Sequence, residues 1–447
     1  MTALATRRRR STLLAASAAV AALAVAGGLA VAGGLTLYHS TDGGSVGLAV
    51  PEVVFPDTPT ALLAGVDDGG ALASLAVVVV EPDGTGGTVV AVPVSADATS
   101  GEGDERLPLA ESVALDGPAV LEREAGIALS LSFDSVEVAD AARLTELLGP
   151  IGDVAVELPA DVTDLEGDVV AAAGAATFDA AQLAAVLTAR DTHVPAAEQY
   201  AAAAAVWAGV ADAVGEGLDG APPGGADAIE RDLALAMSGP LVARALATSS
   251  ISADRNPRGV DVALLDRAEL ALVFGQIAPG RVSAPSSSLS FRVVASFSAA
   301  QLGDRGWTNA EVAYRAISQL QFLRSNVLSV DTTPAQAPTA TQLELNDATL
   351  NMSGVRAVFG DVVLVEPTTR LVGVDAILIL GTEYLRFLDD VEALPGQTAG
   401  TVTDADGADV DDVEPVASTD VTENDVDTTE TDETRAADEP DSETTGG

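Results

Sequence analysis

The sequence predicts an α/β protein with two folded domains, preceded by a membrane anchor and followed by a disordered acidic tail. Three observations lead to this prediction. Four consecutive arginines precede a long apolar segment, strand-like runs alternate with helical periods, and the last segment is acid-rich without apolar periodicity. Strands interleaved with helices are typical of layered α/β domains. The chain has 447 residues, of which 48% are hydrophobic, so two domain cores can be filled.

The N-terminal segment predicts a single membrane span. Arginines occupy positions 7–10, and an almost continuous apolar run follows from Leu13 to Leu37. About 25 helical residues exceed the roughly 30 Å of bilayer hydrocarbon. We therefore assign residues 1–10 to a basic cytoplasmic N-terminus and 11–38 to a transmembrane helix. The arginines favour the cytoplasmic side, which places the bulk of the chain outside the cell membrane. A cleaved signal peptide is the alternative.

Composition excludes several functional classes. The formal net charge is −45, and all basic residues are arginines. Such a surface repels nucleic acid, whose binding requires neutralised phosphates. The absence of cysteine excludes disulfides, thiol catalysis and cysteine-based zinc sites. No Ser/His/Asp triad or metal-ligand spacing is present either, so we predict no cofactor and no metal site.

The first domain is predicted at residues 50–277. Apolar runs at 72–82 and 87–94 are joined by the turn sequence DGTGG, which indicates a β-hairpin. Alternating or helical periods predict the remaining elements, which are strands at 132–140 and 153–159 and helices at 140–149, 178–190 and 198–214. A Pro/Ser-rich linker is predicted at 278–288.

The second domain is predicted at residues 289–388. A strand opens it at 289–297, and Thr308 with Glu311 forms a capping box that begins a helix running through Asn326. The apolar segment Val374–Tyr384 is predicted to close it as a buried strand. Residues 394–447 are rich in Asp, Glu and Thr, a composition that cannot bury enough apolar surface to fold.

The order of these elements resembles the LytR–CpsA–Psr family of membrane-anchored envelope proteins. The resemblance rests on LLAGVDDGG, VVVVEPDGTGGTVVAVPV and VEVADAARLTELLGPIGDVAVELP. It implies an α/β/α domain that transfers a glycopolymer from a polyprenyl-pyrophosphate carrier to peptidoglycan. It also implies that arginines, aspartates and magnesium bind the pyrophosphate. The segment Val374–Tyr384 resembles the last strand of the LytR C-terminal domain, an accessory module.

The charged motif residues of this family are mostly replaced. Its first arginine and aspartate fall on Ala71 and Ala73, and its second such pair falls on Val94 and Ser95. Two matches remain. Asp67 corresponds to an aspartate after the first strand, and Arg190 corresponds to one of two arginines near a helix end. We take Asp67 and Arg190 as the candidate substrate-binding residues; no catalytic residue is assigned.

Each candidate also has a structural explanation. Asp67 precedes a Gly-Gly pair, an ordinary turn composition. Arg190 follows a helix, where a cation suits the helix dipole. His193 lies in a polar segment and is expected to be solvated surface.

These observations predict a non-catalytic protein of the cell envelope. It would bind a polyprenyl-linked glycan, a cell-wall polymer or an enzymatic relative, and so scaffold or regulate glycopolymer assembly. An active phosphotransferase, using magnesium and arginines such as Arg106, Arg123 or Arg231, is the first alternative. A surface spacer without a ligand is the second.

Overall fold

The first domain is built on a mixed five-stranded sheet. A computed structural model describes residues 50–99, 106–218, 227–283, 289–346 and 352–392. The strands of the first domain are β1 (Glu52–Val53), β2 (Thr60–Val66), β3 (Leu72–Val80), β4 (Gly87–Val92), β5 (Ser135–Ala139), β6 (Val154–Leu158), β7 (Val162–Thr163), β8 (Val169–Ala171), β9 (Gly174–Phe178), β10 (Leu241–Ala245), β11 (Thr248–Ser250) and β12 (Ala263–Leu265). The central sheet has the order β10-β4-β3-β2-β5.

Strand direction decides which loops meet at one edge of this sheet. Strand β3 runs antiparallel to β2 and β4, whereas β10 is parallel to β4 and β5 is parallel to β2. The C-terminal ends of β2, β4, β5 and β10 therefore lie at the same edge as the beginning of β3. The predicted hairpin of β3 and β4 is confirmed.

Helices cover both faces of the central sheet, as the sequence resemblance implied. They are α1 (Leu109–Asp116), α2 (Leu121–Leu129), α3 (Ala141–Leu148), α4 (Ala180–Thr188), α5 (Ala196–Val214), α6 (Ala228–Ala236) and α7 (Arg267–Ile277), with short 3-10 helices at Pro118–Val120 and Gly149–Ile151. Successive side chains of a strand point to opposite faces. Leu63 accordingly packs with α3, α4, α5 and α6, whereas Leu62 packs with α1, α2 and α7.

Local sequence signals fix several helix starts. Asp140 accepts a hydrogen bond from Arg143 N and begins α3. Asp179 and Gln182 form a reciprocal capping box at α4. These side chains satisfy backbone N–H groups that have no partner within the helix. The predicted helices at 140–149, 178–190 and 198–214 are thus present, with ends shifted by up to two residues.

The second domain contains a second five-stranded mixed sheet. Its elements are β13 (Ser290–Val294), α8 (Ala299–Leu302), a 3-10 helix (Gly303–Arg305), α9 (Asn309–Phe322), β14 (Asn326–Asp331), β15 (Thr341–Leu345), α10 (Met352–Phe359), β16 (Val362–Val365), β17 (Arg370–Leu371), β18 (Ala376–Ile379) and α11 (Thr382–Glu392). The sheet order is β14-β13-β18-β15-β16. Helices α9 and α11 bury apolar residues against it, including Ile317 and Tyr384.

Two predictions for this domain were wrong. The helix that begins with the Thr308–Glu311 capping box ends at Phe322 rather than at Asn326. Arg324 takes a left-handed backbone conformation (φ 56°), which turns the chain into β14. The predicted closing strand also stops early, because the chain turns after Ile379 and begins α11 at Thr382.

Helix α7 contributes to both domain cores. Leu270, Val273 and Phe274 belong to the core under the first sheet, whereas Ala268 belongs to the core of the second domain. Strand β1 also pairs with β17, so Glu52 is opposite Arg370. The chain on either side of the predicted linker is therefore joined by packing and by backbone pairing. The domain boundaries remain predictions.

The predicted membrane span and acidic tail lie outside the described residues. Within the described ranges, no helix is both long enough and apolar enough to cross a bilayer.

Candidate functional site

The candidate site lies at the edge of the first sheet where strands β2 and β4 end. The chain leaves β2 through Asp67 and Asp68, and β4 leads into Val94 and Ser95. Ala73 stands near the beginning of the antiparallel strand β3, at the same edge. Strand ends of this kind commonly carry binding residues in α/β proteins. The topology thus brings Asp67, Ala73, Val94 and Ser95 to the same edge.

Asp67 organises the connection between β2 and β3. Its Oδ1 accepts hydrogen bonds from Gly69 N over 2.9 Å and from Ala71 N over 2.8 Å. Its backbone N–H donates to Ala71 O, and its carbonyl accepts from Gly70 N. The residue is buried. Its side chain therefore has a turn-forming role, as the structural explanation predicted.

Arg190 reaches the same carboxylate from the other side. Helix α4 ends at Thr188, and the extended backbone of Ala189 carries Arg190 to the sheet edge. Its Nη1 lies 3.7 Å from Asp67 Oδ2, and the arginine side chain is 34% exposed. The two predicted site residues are therefore brought together. Their contact is long for a hydrogen bond and is an ion pair open to solvent on the arginine side.

A glycine allows this approach of α4 to the sheet. A Cβ at Gly65 of β2 would lie 2.5 Å from Ser74 Oγ and 2.7 Å from Leu187 O of α4. No side chain fits such distances, so the backbone of α4 can approach β2 only because position 65 is glycine. This close packing places the end of α4, and with it the segment that carries Arg190, near the end of β2.

Asp191 is a further acidic residue of this site that the sequence analysis missed. It is buried, and its Oδ2 accepts a hydrogen bond of 2.7 Å from Thr163 Oγ1. Its Oδ1 accepts from His193 N and lies 3.1 Å from His193 Nδ1. The hydrogen bond from Thr163, followed by those from His193, lowers the pKa of Asp191. His193 is exposed, as predicted, yet it contacts this carboxylate.

A small acidic cavity lies between Ala73 and Asp191. Its volume is about 20 Å³, and its polar lining includes Asp161, Asp191 and Glu198. This volume is comparable to the space that one water molecule needs. Three carboxylates around it oppose a polyanionic ligand, because like charges repel at short range. Ala73 contributes no charge, although the family resemblance places an aspartate there.

The ends of β4 and β10 are closed by Tyr200. This residue lies on α5, and its hydroxyl group contacts two carbonyl oxygens, Leu246 O at 2.9 Å and Ala91 O at 3.2 Å. Burial raises the pKa of Tyr200 to about 12. The phenol therefore remains a hydrogen-bond donor at neutral pH. It holds α5 against the strand that leads to Val94 and Ser95.

The arginines named for the active alternative are engaged elsewhere. Arg106 donates to Asp97 over 2.9 Å and to Arg255 O over 3.0 Å. Arg123 pairs with the adjacent Glu124. Neither contacts Asp67.

Arg231 lies at the opposite edge of the sheet. It pairs with Asp232, whose carboxylate accepts a hydrogen bond from Ser135 at the beginning of β5. The beginning of β5 is remote from the edge where β2 and β4 end.

The residues present do not fit the magnesium that the family resemblance implies. Asp67 already binds two backbone N–H groups and contacts Arg190. Across the ranges that the structure covers, no group of three or more Asp, Glu or His side chains could hold a metal ion. Magnesium bound together with substrate phosphates still needs one or two available carboxylates. At this edge Asp67 is engaged, and Ala73 stands where the family resemblance places the other aspartate.

Comparison with known proteins finds structural neighbours but no sequence family. No family model matches the chain, and no curated protein matches it. Bacillus subtilis TagV is 11% identical over 48% of this chain and 94% of that chain, with a TM-score of 0.36. TagT bound to LIIa-WTA is 17% identical over 48% and 88%, with a TM-score of 0.34. A LytR-Csp2A-Psr enzyme from Actinomyces oris is 15% identical over 49% and 94%, with a TM-score of 0.33. Each of these similarities covers about half of this chain.

Proposed function

We propose that this protein works without catalysis at the cell envelope, where it binds a polyprenyl-linked glycan or cell-wall glycopolymer and scaffolds its assembly. The proposal includes a single-pass anchor at residues 11–38, with the folded domains outside the membrane. An enzymatic relative is a further partner that this role accommodates.

The observation that carries this proposal is the composition of the sheet edge. Ala71, Ala73, Val94 and Ser95 stand where the family resemblance places charged motif residues, and the frame that would present those residues is intact. Enzymatic phosphoryl transfer needs metal ions and cationic side chains to neutralise developing charge. Arg190, the remaining matched arginine, is already paired with Asp67.

The local charge also favours a neutral glycan surface over pyrophosphate as the ligand of this edge. Asp161, Asp191 and Glu198 surround the small cavity. The exposed Asp161 and Glu198 can accept hydrogen bonds from sugar hydroxyl groups, whereas all three carboxylates repel phosphate oxygens.

Binding and turnover by the full chain in lipid nanodiscs test this proposal. Undecaprenyl pyrophosphate and a purified cell-wall glycopolymer are offered with and without magnesium, and pyrophosphate hydrolysis and glycopolymer transfer are followed in parallel. We expect glycopolymer binding that does not depend on magnesium, with no hydrolysis and no transfer.

Matched variants assign any binding to this edge. Arg190→Gln should weaken binding, whereas Arg386→Gln on helix α11, which removes the same charge from an exposed position, should not. Magnesium-dependent transfer that is lost in Asp67→Asn would overturn the proposal in favour of the active phosphotransferase. Absence of binding to every polymer and carrier would favour the surface spacer.

A further inference from the structure

A cleft distinct from the candidate site lies where the two predicted domains meet. It has a volume of about 520 Å³ and lies among the end of α2, one face of α7 and the chain between α9 and β14. Its wall is mixed, and its apolar part includes Leu270, Phe274 and Val327. Small-molecule sites typically have volumes of about 300–1,000 Å³ and combine apolar walls with a few polar groups. The size of this cleft fits that range, and its lining combines apolar and polar side chains.

Two arginines line this cleft without a carboxylate partner. Arg267 begins α7 and Arg324 follows α9; both are exposed. Among the described residues neither forms an ion pair, unlike Arg106, Arg190 and Arg281, each of which pairs with aspartate. Several other exposed arginines in the described ranges also lack an ion pair, but this cleft has two of them and no acidic residue among its described lining residues.

The neighbouring acid Asp266 forms no ion pair with Arg267. Its Oδ1 accepts hydrogen bonds from Ala268 N and Glu269 N at the start of α7. Its Oδ2 accepts from Tyr314 Oη on α9. Asp266 is thus committed to capping α7 and to joining that helix with α9, which leaves Arg267 available to a ligand.

Backbone geometry gives a second, independent observation. Among the described non-glycine residues, only Ser130 (φ 52°) and Arg324 (φ 56°) have positive φ, and both line this cleft. Each follows a helix, at a position where glycine is preferred because it lacks a Cβ. Strained residues tend to occur where the side chain is needed for binding. The chain therefore keeps two side chains at this cleft despite a steric cost that glycine would avoid.

We propose that this cleft binds a small amphipathic anion, with a phosphate or carboxylate head group held by Arg267 and Arg324 and an apolar body against Leu270 and Phe274. Guanidinium groups present paired N–H donors that match the oxygens of phosphate and carboxylate. The hydroxyl of Ser130 and the amide of Gln321 supply further polar groups at the lining. This site is independent of the function proposed above for the sheet edge where β2 and β4 end.

Direct binding to the full chain in lipid nanodiscs tests the proposal. The probes are 1-naphthyl phosphate and 1-naphthoate, compared with inorganic phosphate and the neutral 1-naphthol, with empty nanodiscs as the blank. We expect 1-naphthyl phosphate, 1-naphthoate or both to bind at least about tenfold more tightly than inorganic phosphate, which lacks the apolar body, and than 1-naphthol, which lacks the charge. The preferred anion identifies the head group. Binding should weaken as salt is raised, because exposed charges are screened.

Variants separate loss of the site from loss of the fold. Arg267→Gln and Arg324→Gly should each weaken binding about tenfold or more, whereas Arg386→Gln should leave it unchanged. Arg324→Gly should not lower the melting temperature, since glycine suits a φ of 56°. The proposal is overturned if neither anion binds, if 1-naphthol binds as tightly as the anions, or if both cleft variants bind like the parent protein.

Discussion

Replacing Asp67 by alanine and by asparagine separates the structural role of this side chain from its charge. Asp67 Oδ1 accepts hydrogen bonds from Gly69 N and Ala71 N, and Oδ2 lies 3.7 Å from Arg190. Alanine removes all three contacts. Asparagine keeps an acceptor oxygen for the two backbone groups and removes the negative charge.

The expected magnitudes differ between the two variants. A hydrogen bond to a charged group contributes about 1.5–3 kcal/mol to stability. Gly69 is exposed and Ala71 is partly exposed, so water can replace the lost acceptor, and each of the two hydrogen bonds contributes at the lower end of this range. Asp67→Ala, which removes both hydrogen bonds and the ion pair, should then lower the free energy of unfolding by about 3–4 kcal/mol. The half-exposed ion pair with Arg190 contributes at most about 1 kcal/mol. Asparagine also weakens the two hydrogen bonds by about 0.5 kcal/mol each, so Asp67→Asn should cost at most about 2 kcal/mol.

Thermal unfolding followed by circular dichroism measures this difference. For a domain of this size, we expect the melting temperature to fall by roughly 6–16 °C in Asp67→Ala and by less than about 8 °C in Asp67→Asn. Equal losses in both variants would refute the reasoning, because the charge would then matter more than the turn. An unchanged melting temperature in Asp67→Ala would show that the turn forms without its carboxylate.

Three further predictions concern the surroundings of the site. Gly65→Ala places a Cβ 2.7 Å from a backbone carbonyl of α4 and should lower the free energy of unfolding, measured in urea, by about 1–3 kcal/mol. Gly149→Ala is the control, because no atom lies within 4 Å of its Cβ, and its free energy of unfolding should change little. Equal losses in the two variants would contradict this. Tyr200→Phe should cost about 1 kcal/mol. The pKa of Tyr200 is raised from 10.0 to about 12, so the neutral phenol stabilises the folded state fully below pH 10, and this stabilisation is lost as pH rises towards 12. A parent protein with the same stability at pH 10 and pH 12 would contradict this. The pKa of Asp191 is lowered from 3.8, mainly by the hydrogen bond from Thr163. The ionised carboxylate therefore stabilises the folded state above pH 4, and this stabilisation is lost on acidification. Below pH 4 the melting temperature of Asp191→Asn should fall less than that of the parent protein.

The sequence by itself determined the local elements. The turn DGTGG specifies the β3–β4 hairpin, Asp140 specifies the start of α3, and Thr308 with Glu311 specifies the start of α9. Each signal acts over a few residues, so it can be recognised without knowing the rest of the fold. The positions of Asp67 and Arg190 could also be named from the pattern, although each carried a structural alternative.

Helix ends were harder to predict. The apolar period of α9 continues to Leu323, but the chain leaves the helix because Arg324 adopts a left-handed conformation and Asn326 begins β14 beside β13. Pairing with a distant strand decided that ending. The same is true of α11, which begins at Thr382 where apolar side chains suggested a continuing strand.

Only the tertiary structure decided what the site contains. The contact between Asp67 and Arg190 requires β2 and α4 to pack across Gly65. The hydrogen bond from Thr163 to Asp191 joins strand β7 to the chain that follows α4. Sheet order and helix docking create these neighbours, and no local signal encodes them.

The cleft lined by Arg267 and Arg324 arises in the same way. Helix α7 packs against both cores, and this brings two arginines that are remote in sequence to one cavity. The sequence could supply their charges, but only long-range packing could place them together, because the free energy that holds α7 comes from apolar burial on both sides.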